Sequence, residues 1–129
     1  MAGIFSKIIT GEIPSYKVYE DKNCYAFLDI NPNALGHTLC ITKKEVNKIF
    51  DLSEKDYNLL MQFSRKVALA IGKAIPCKRV GMSVIGLEVP HVHVHLIPLQ
   101  SMKDVTFQKK VSLTNEEFKA TAAKIQDFL

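Results

Sequence analysis

Three of the four histidines in this 129-residue chain, His91, His93 and His95, stand at alternate positions in the run HVHVHLIP (91–98). In an extended strand alternate side chains point to opposite faces, so the three imidazoles share one face and Val92, Val94 and Leu96 the other. Any half-buried strand alternates. A solvent-facing row, however, ordinarily draws on Lys, Thr, Ser and Glu, so three groups that titrate near neutrality argue for chemistry. Metal binding is one option. At a rise of about 3.3 Å per residue the Cα atoms of His91 and His95 lie about 13 Å apart. Metal–nitrogen bonds of about 2 Å then keep all three from one ion, although two with His37 or a carboxylate could hold it. Nucleophilic catalysis fits better: crowding disfavours charging every imidazole at once, and a neutral one is a competent nucleophile that divides a hard displacement into two easier steps.

The elements that position this run follow from pattern. SYKVY (15–19) and CYAFLDI (24–30), separated by the turn-prone EDKN, predict a β-hairpin. NPNALG (31–36) is a loop and HTLCIT (37–42) the next strand. From Ser53, a good N-cap, Leu60, Phe63, Val67, Ile71 and Ala74 recur at helical spacing, with Pro76 just beyond. RVGMSVIG (79–86) and PHVHVHLIPL (90–99) return to strand character. Thr114 and Glu117 form a capping box ahead of the stripe Phe118, Ala122, Ile125 and Leu129, which predicts a C-terminal helix. Five strands around one long helix make an α+β domain with a mainly antiparallel sheet. The whole chain, 1–129, reads as one domain with a core over 4–98 and a C-terminal extension over 101–129.

Composition narrows the function classes. The net charge is +4, but the lysines are scattered, apart from TKK, KR and QKK groups, and form no dense stripe with interleaved aromatics. A nucleic-acid partner is therefore not expected, and a mild preference for small anions is. Cys24, Cys40 and Cys77 are odd in number and lack CxxC spacing, which suits buried thiols in a reducing compartment. The start, MAGIFSKIITGEIP, has neither the apolar core of a signal peptide nor a spanning length. A cytoplasmic protein without a membrane partner is expected.

The pattern His-φ-His-φ-His-φφ, with φ apolar, is filled by HVHVHLI and resembles the histidine-triad (HIT) family of nucleotide hydrolases and transferases. IFSKIITGEIPSYKVYEDKNCYAFLDINPNALGHTLCITKK is similar to that family's N-terminal half. The resemblance implies an α+β homodimer with a short N-terminal helix that binds a purine nucleoside 5′-phosphate and cleaves it from a leaving group on the α-phosphorus. It implies neither cofactor nor metal. By that resemblance His93 is the nucleophile, His95 contacts the α-phosphate, and His91 orients the cluster with its carbonyl setting the tautomer of His93. His37 completes the cluster, Asp29 holds the ribose hydroxyls, and Ile4, Phe5, Ile8, Phe27, Leu28 and Ile30 wall the base. The implied reaction is hydrolysis of an adenosine 5′-monophosphoramidate. A dinucleoside polyphosphate hydrolase and a nucleotide-binding module with vestigial catalysis are the alternatives.

The chain departs from the family pattern just before the triad. MSVIGLEVPH is several residues short; alignment puts Val84 at a usual Asn and Glu88 at a usual Ser or Thr. Ser83 is expected on the wrong side of a regular strand, and Glu88 becomes a candidate for leaving-group contact or proton transfer. Gly3 and Ser6 stand where some members carry zinc-holding cysteines. The predicted C-terminal helix either shapes substrate access or covers the sheet.

Overall fold

The computed structural model describes residues 2–129. Helix α1 (Ile4–Thr10) stops at Gly11, whose φ of +84° lets its N–H turn back to the Ile8 carbonyl. Strands β1 (Lys17–Glu20) and β2 (Cys24–Leu28) form the expected hairpin. In its turn Asp21 Oδ1 accepts from the N–H groups of Asn23 and Cys24, both at 2.8 Å. Strand β3 (Thr38–Thr42) follows, then α2 (Glu54–Ala74), capped by Ser53 Oγ accepting from Asp56 N–H. Strands β4 (Arg79–Ser83) and β5 (His93–Leu99) complete an antiparallel sheet in the order β1-β2-β3-β5-β4, and α3 (Asn115–Gln126) ends the chain.

Period decides which face each strand residue serves. Cys24, Ala26 and Leu28 of β2, Cys40 of β3 and Val94 and Leu96 of β5 pack with Val92 against Leu60, Phe63, Val67 and Ile71 of α2. Each such fully buried aliphatic contributes about 1.5–3 kcal/mol. Helix α3 joins this layer through Phe118, Ala122 and Ile125, and Tyr16 stacks on Phe118 at 4.8 Å. The alternate residues Tyr25, Phe27, Leu39 and Ile41 face the other way and are covered by Phe5 and Ile8 of the short α1, with Ile9, Ile13 and Val89 packed beside them. Seven residues cannot roof five strands, and the histidine face is left partly open to ligand.

Every predicted strand is trimmed at an end, the last two the most. β4 ends at Ser83 and β5 begins at His93, so residues 84–92 form a loop. Pro90 has no N–H to give a ladder. His91 N–H instead bonds the Val89 carbonyl at 2.8 Å, and Val92 N–H reaches across to Val46 O at 2.7 Å. Among the described residues no helix is long and apolar enough to cross a membrane.

The capping box of α3 is complete: Glu117 N–H donates to Thr114 Oγ1 at 3.1 Å and Thr114 N–H to Glu117 Oε1 at 3.0 Å. Thr114→Ala is expected to cost about 1 kcal/mol, read as a lower urea midpoint with unchanged slope. No change would mean that α3 contributes nothing to global stability.

Candidate active site

His93 Nδ1 lies 2.7 Å from the carbonyl oxygen of His91. A carbonyl can only accept, so Nδ1 carries the proton and Nε2 of the neutral ring keeps a free lone pair. The Phe5 ring meets His93 edge-on at 5.2 Å and holds it in place.

The neighbouring pair is directed in the same way. Asn33 N–H donates to His37 Nδ1 at 2.9 Å, which puts the proton of neutral His37 on Nε2. That N–H points to His95 Nδ1 at 3.0 Å, so neutral His95 carries its own proton on Nε2. Both rings are held neutral. Burial first, then the His95 and Lys110 charges, brings the pKa of His37 down to about 3. Burial, followed by His93 and Lys110, brings that of His95 to about 4. The His93 and His95 rings meet edge-on with centres 5.0 Å apart, so the ring with a free lone pair and the ring with an N–H donor are neighbours.

His91 plays a different part. Its Nε2–H donates to the Thr42 carbonyl at 2.7 Å and its ring packs on Phe5; Nδ1 is buried with no partner among the described residues. The imidazole braces the loop while the carbonyl orients His93. Asp29 Oδ1 accepts from Asn31 N–H at 2.9 Å, and Oδ2 lies 3.6 Å from His37 Nε2. Burial raises its pKa, with the Asn31 hydrogen bond opposing. Asp29, His37 and His95 each offer one atom, all within 4.8 Å of one another, as a metal site would require. The facing nitrogens of His37 and His95 already share a proton, so an ion there and the hydrogen-bond relay exclude each other. His91 and His93 belong to neither.

Two cavities meet at His93 and His95. One, of about 210 Å³, is lined by Ile4, Phe5, Ile8, Phe27, Asp29 and Ile30 together with Glu88. The other, of about 200 Å³, is walled by Ile85, Gly86, Leu87, Glu88 and Phe107. Leu28 borders the first, but its side chain is buried in the α2-side core. The strand period that turns Phe27 into the cleft turns Leu28 away from it. Ile30, 73% exposed, is at the rim.

The HIT domain profile matches residues 10–102. The chain belongs to the HIT family. It is 35% identical over 131 residues to an uncharacterized HIT-like protein of Borreliella burgdorferi, covering 95% of this chain and 94% of that one. It is 40% identical over 103 residues to adenosine 5′-monophosphoramidase HNT1 of Saccharomyces cerevisiae, covering 79% of this chain and 65% of the yeast protein. A crystal structure of a Hit-like protein from Bartonella henselae, 32% identical, superposes with a TM-score of 0.86 over 98% of this chain and 96% of that one.

Against the HIT pattern, one expectation is reversed. Ser83 pairs with His95, and directly paired residues of antiparallel strands project to the same face, so Ser83 lies on the histidine side. Val84 packs instead on the α2 core. The error came from aligning the usual Asn to Val84 across a shortened loop. Ser83 Oγ is buried without a partner among the described residues. At the matched zinc-cysteine positions, Gly3 N–H and Ser6 Oγ both donate to Glu45 Oε1, at 2.6 and 2.8 Å, so a carboxylate ties α1 to the sheet side. Sequence reasoning missed Asn33, Phe107 and Lys110. Asn33 Nδ2 donates to Asp104 O at 2.8 Å, and Lys110 Nζ reaches Asn33 Oδ1 at 2.8 Å and Asn31 O at 3.1 Å. These bonds draw the segment before α3 over the site, and Phe107 lies edge-on to His95 at 4.8 Å. One large aromatic in the polar run TFQKK was the available signal.

The unfolded chain, with imidazole values near 6.5, binds more protons than the folded one below that pH, because folded His37 and His95 titrate only at about 3 and about 4. Stability is therefore full above about pH 6.5 and falls as pH drops toward the folded values. A lower urea midpoint at about pH 5 than at about pH 7.5 is expected, with a flatter profile in His37→Gln. A profile that His37→Gln leaves equally steep would refute this origin.

Proposed function

We propose that the protein hydrolyses purine nucleoside 5′-phosphoramidates, adenosine 5′-monophosphoramidate in type, through a nucleotidyl-His93 intermediate. The observation that carries this reading is the free Nε2 lone pair of His93, set by the His91 carbonyl, beside the N–H of His95. His93 Nε2 bonds to phosphorus as the P–N bond breaks, and the amine leaves with the bonding pair and takes a proton from water. Positive charge on the phosphorylated ring strengthens the Nδ1–H bond to the His91 carbonyl. The His95 Nε2–H stabilises charge on a phosphoryl oxygen. Water then attacks phosphorus and displaces Nε2, releasing the nucleoside monophosphate and a proton.

Asp29 suits the ribose diol because Oδ2 keeps open lone pairs while Oδ1 is held by Asn31. Phe5, Ile8 and Phe27 suit a base as buried apolar walls. Two matched proteins, from Saccharomyces cerevisiae and Schizosaccharomyces pombe, are named adenosine 5′-monophosphoramidases. The three free thiols suit a cytoplasmic setting. Acid quenching with α-labelled adenosine phosphoramidate is expected to leave label on the wild type and none on His93→Ala, whose kcat/KM falls by roughly 1,000-fold or more. Equal labelling of the variant would overturn the assignment of His93.

The functional unit is a homodimer in this proposal. β4 is an unpaired sheet edge carrying Met82, 50% exposed, and the loop after it brings Ile85, 54% exposed, into one cavity wall with Phe50, 89% exposed, a combination that invites pairing with a second copy. Sedimentation should show twice the chain mass for the wild type and a shift to monomer for Met82→Lys. A wild-type monomer at high concentration would refute it.

A further inference from the structure

We infer that Glu88 selects the leaving group, and that the protein's preferred substrates release an amine whose far end carries a positive charge. The inference rests on the phosphoramidate reading above and adds the chemistry of the departing half. The cavity with Asp29 and the apolar wall accounts for the nucleoside, so the group that leaves from the other side of His93 and His95 must occupy the second cavity. Ile85, Leu87 and Phe107 give that cavity aliphatic and aromatic sides. Apart from the two histidines, Glu88 is its one ionisable wall residue. Glu88 is exposed at the border it shares with the nucleoside cavity, and its carboxylate makes no hydrogen bond or ion pair among the described residues, which leaves it available to a group that enters.

Lys110, the cation whose charge acts on His37 and His95, is engaged elsewhere. Lys110 Nζ is held by Asn31 O and Asn33 Oδ1 and sits 5.0 Å from the Phe107 ring centre, outside the cavity wall. Phe107 itself has a φ of +60°, a left-handed conformation that a bulky residue adopts at a cost. Val111 N–H on Pro32 O and Asn33 on Asp104 O, at 3.0 and 2.8 Å, hold the segment before α3, residues 101–114, as a strap in that shape. The result is a greasy channel for a short aliphatic chain with a carboxylate beside it. A polyphosphate leaving group would bring several negative charges to the same place and be repelled. Where family members carry a neutral hydroxyl, this chain has an anion, and that changes which departing groups are favoured.

The test compares three substrates that share an adenosine 5′-phosphoryl half: the phosphoramidates of 1,4-diaminobutane and of pentylamine, equal in length, and diadenosine tetraphosphate. Wild-type kcat/KM should favour the diaminobutane compound over the pentylamine compound by about fivefold, the range of an exposed ion pair. Added salt should shrink that ratio. In Glu88→Gln the ratio should fall to about one, and in Glu88→Lys it should invert while diadenosine tetraphosphate turnover rises relative to both. A wild-type ratio near one, or a ratio that survives both substitutions, would overturn the role of Glu88 and leave the phosphoramidase reading intact. Failure of wild-type protein to turn over either phosphoramidate would overturn both.

Discussion

The hydrogen bond from His93 Nδ1 to the His91 carbonyl spans two residues, yet most of the site depends on it. A neutral imidazole can hold its proton on either nitrogen, and only one choice leaves Nε2 free to attack. The carbonyl makes that choice, and it is available because His91 stands outside the sheet ladder. In a paired strand that oxygen would be committed to a neighbouring N–H. The loop over residues 84–92, with Pro90 unable to donate and Val92 bonded across to Val46, is what keeps it free. The His91 ring, bonded to Thr42 and packed on Phe5, holds the carbonyl still.

A second directed chain, Asn33 to His37 to His95, works only while its rings are uncharged. Protonated His37 would have to turn a donor toward the Asn33 N–H. Burial prevents this by making the charged form costly, and Lys110 adds to the effect from the strap. The same desolvation that prepares the site makes the fold sensitive to acid. Four histidines thus take three arrangements: a ring with its Nε2 lone pair free, a hydrogen-bonded pair and a brace.

The C-terminal extension divides in two. Helix α3 covers the β1–β2 end of the sheet beside α2, a stability role visible in Phe118 and Ile125. The strap before it carries Phe107 and Lys110 to the histidines of the same chain. Of the two alternatives for the helix, covering the sheet is the one it takes, and the contacts at the histidines belong to the segment before it. The α2 layer, complete and apolar, supplies rigidity; the α1 layer, short and partial, leaves the opening in which chemistry can occur.

Much was legible in the residues themselves. Alternation placed Val92, Val94 and Leu96 in the core and the histidines opposite, because strand side chains must alternate. Helical spacing after Ser53 and the Thr114–Glu117 box located α2 and α3, since caps and periodicity are local. Local pattern failed where a side chain's role depends on what lies across the sheet. Leu28 turned from the cleft because its neighbour Phe27 took that face, and Ser83 joined the histidine face through its pairing with His95. Asn33, Phe107 and Lys110 have no motif; contacts 71 and 77 residues apart bring them together. The amino-acid sequence alone determined which chemistry was at hand and which faces were apolar, through short-range periodicity. The tertiary structure decided tautomers, charge states and the shape of the two cavities, because each depends on groups that only folding makes neighbours.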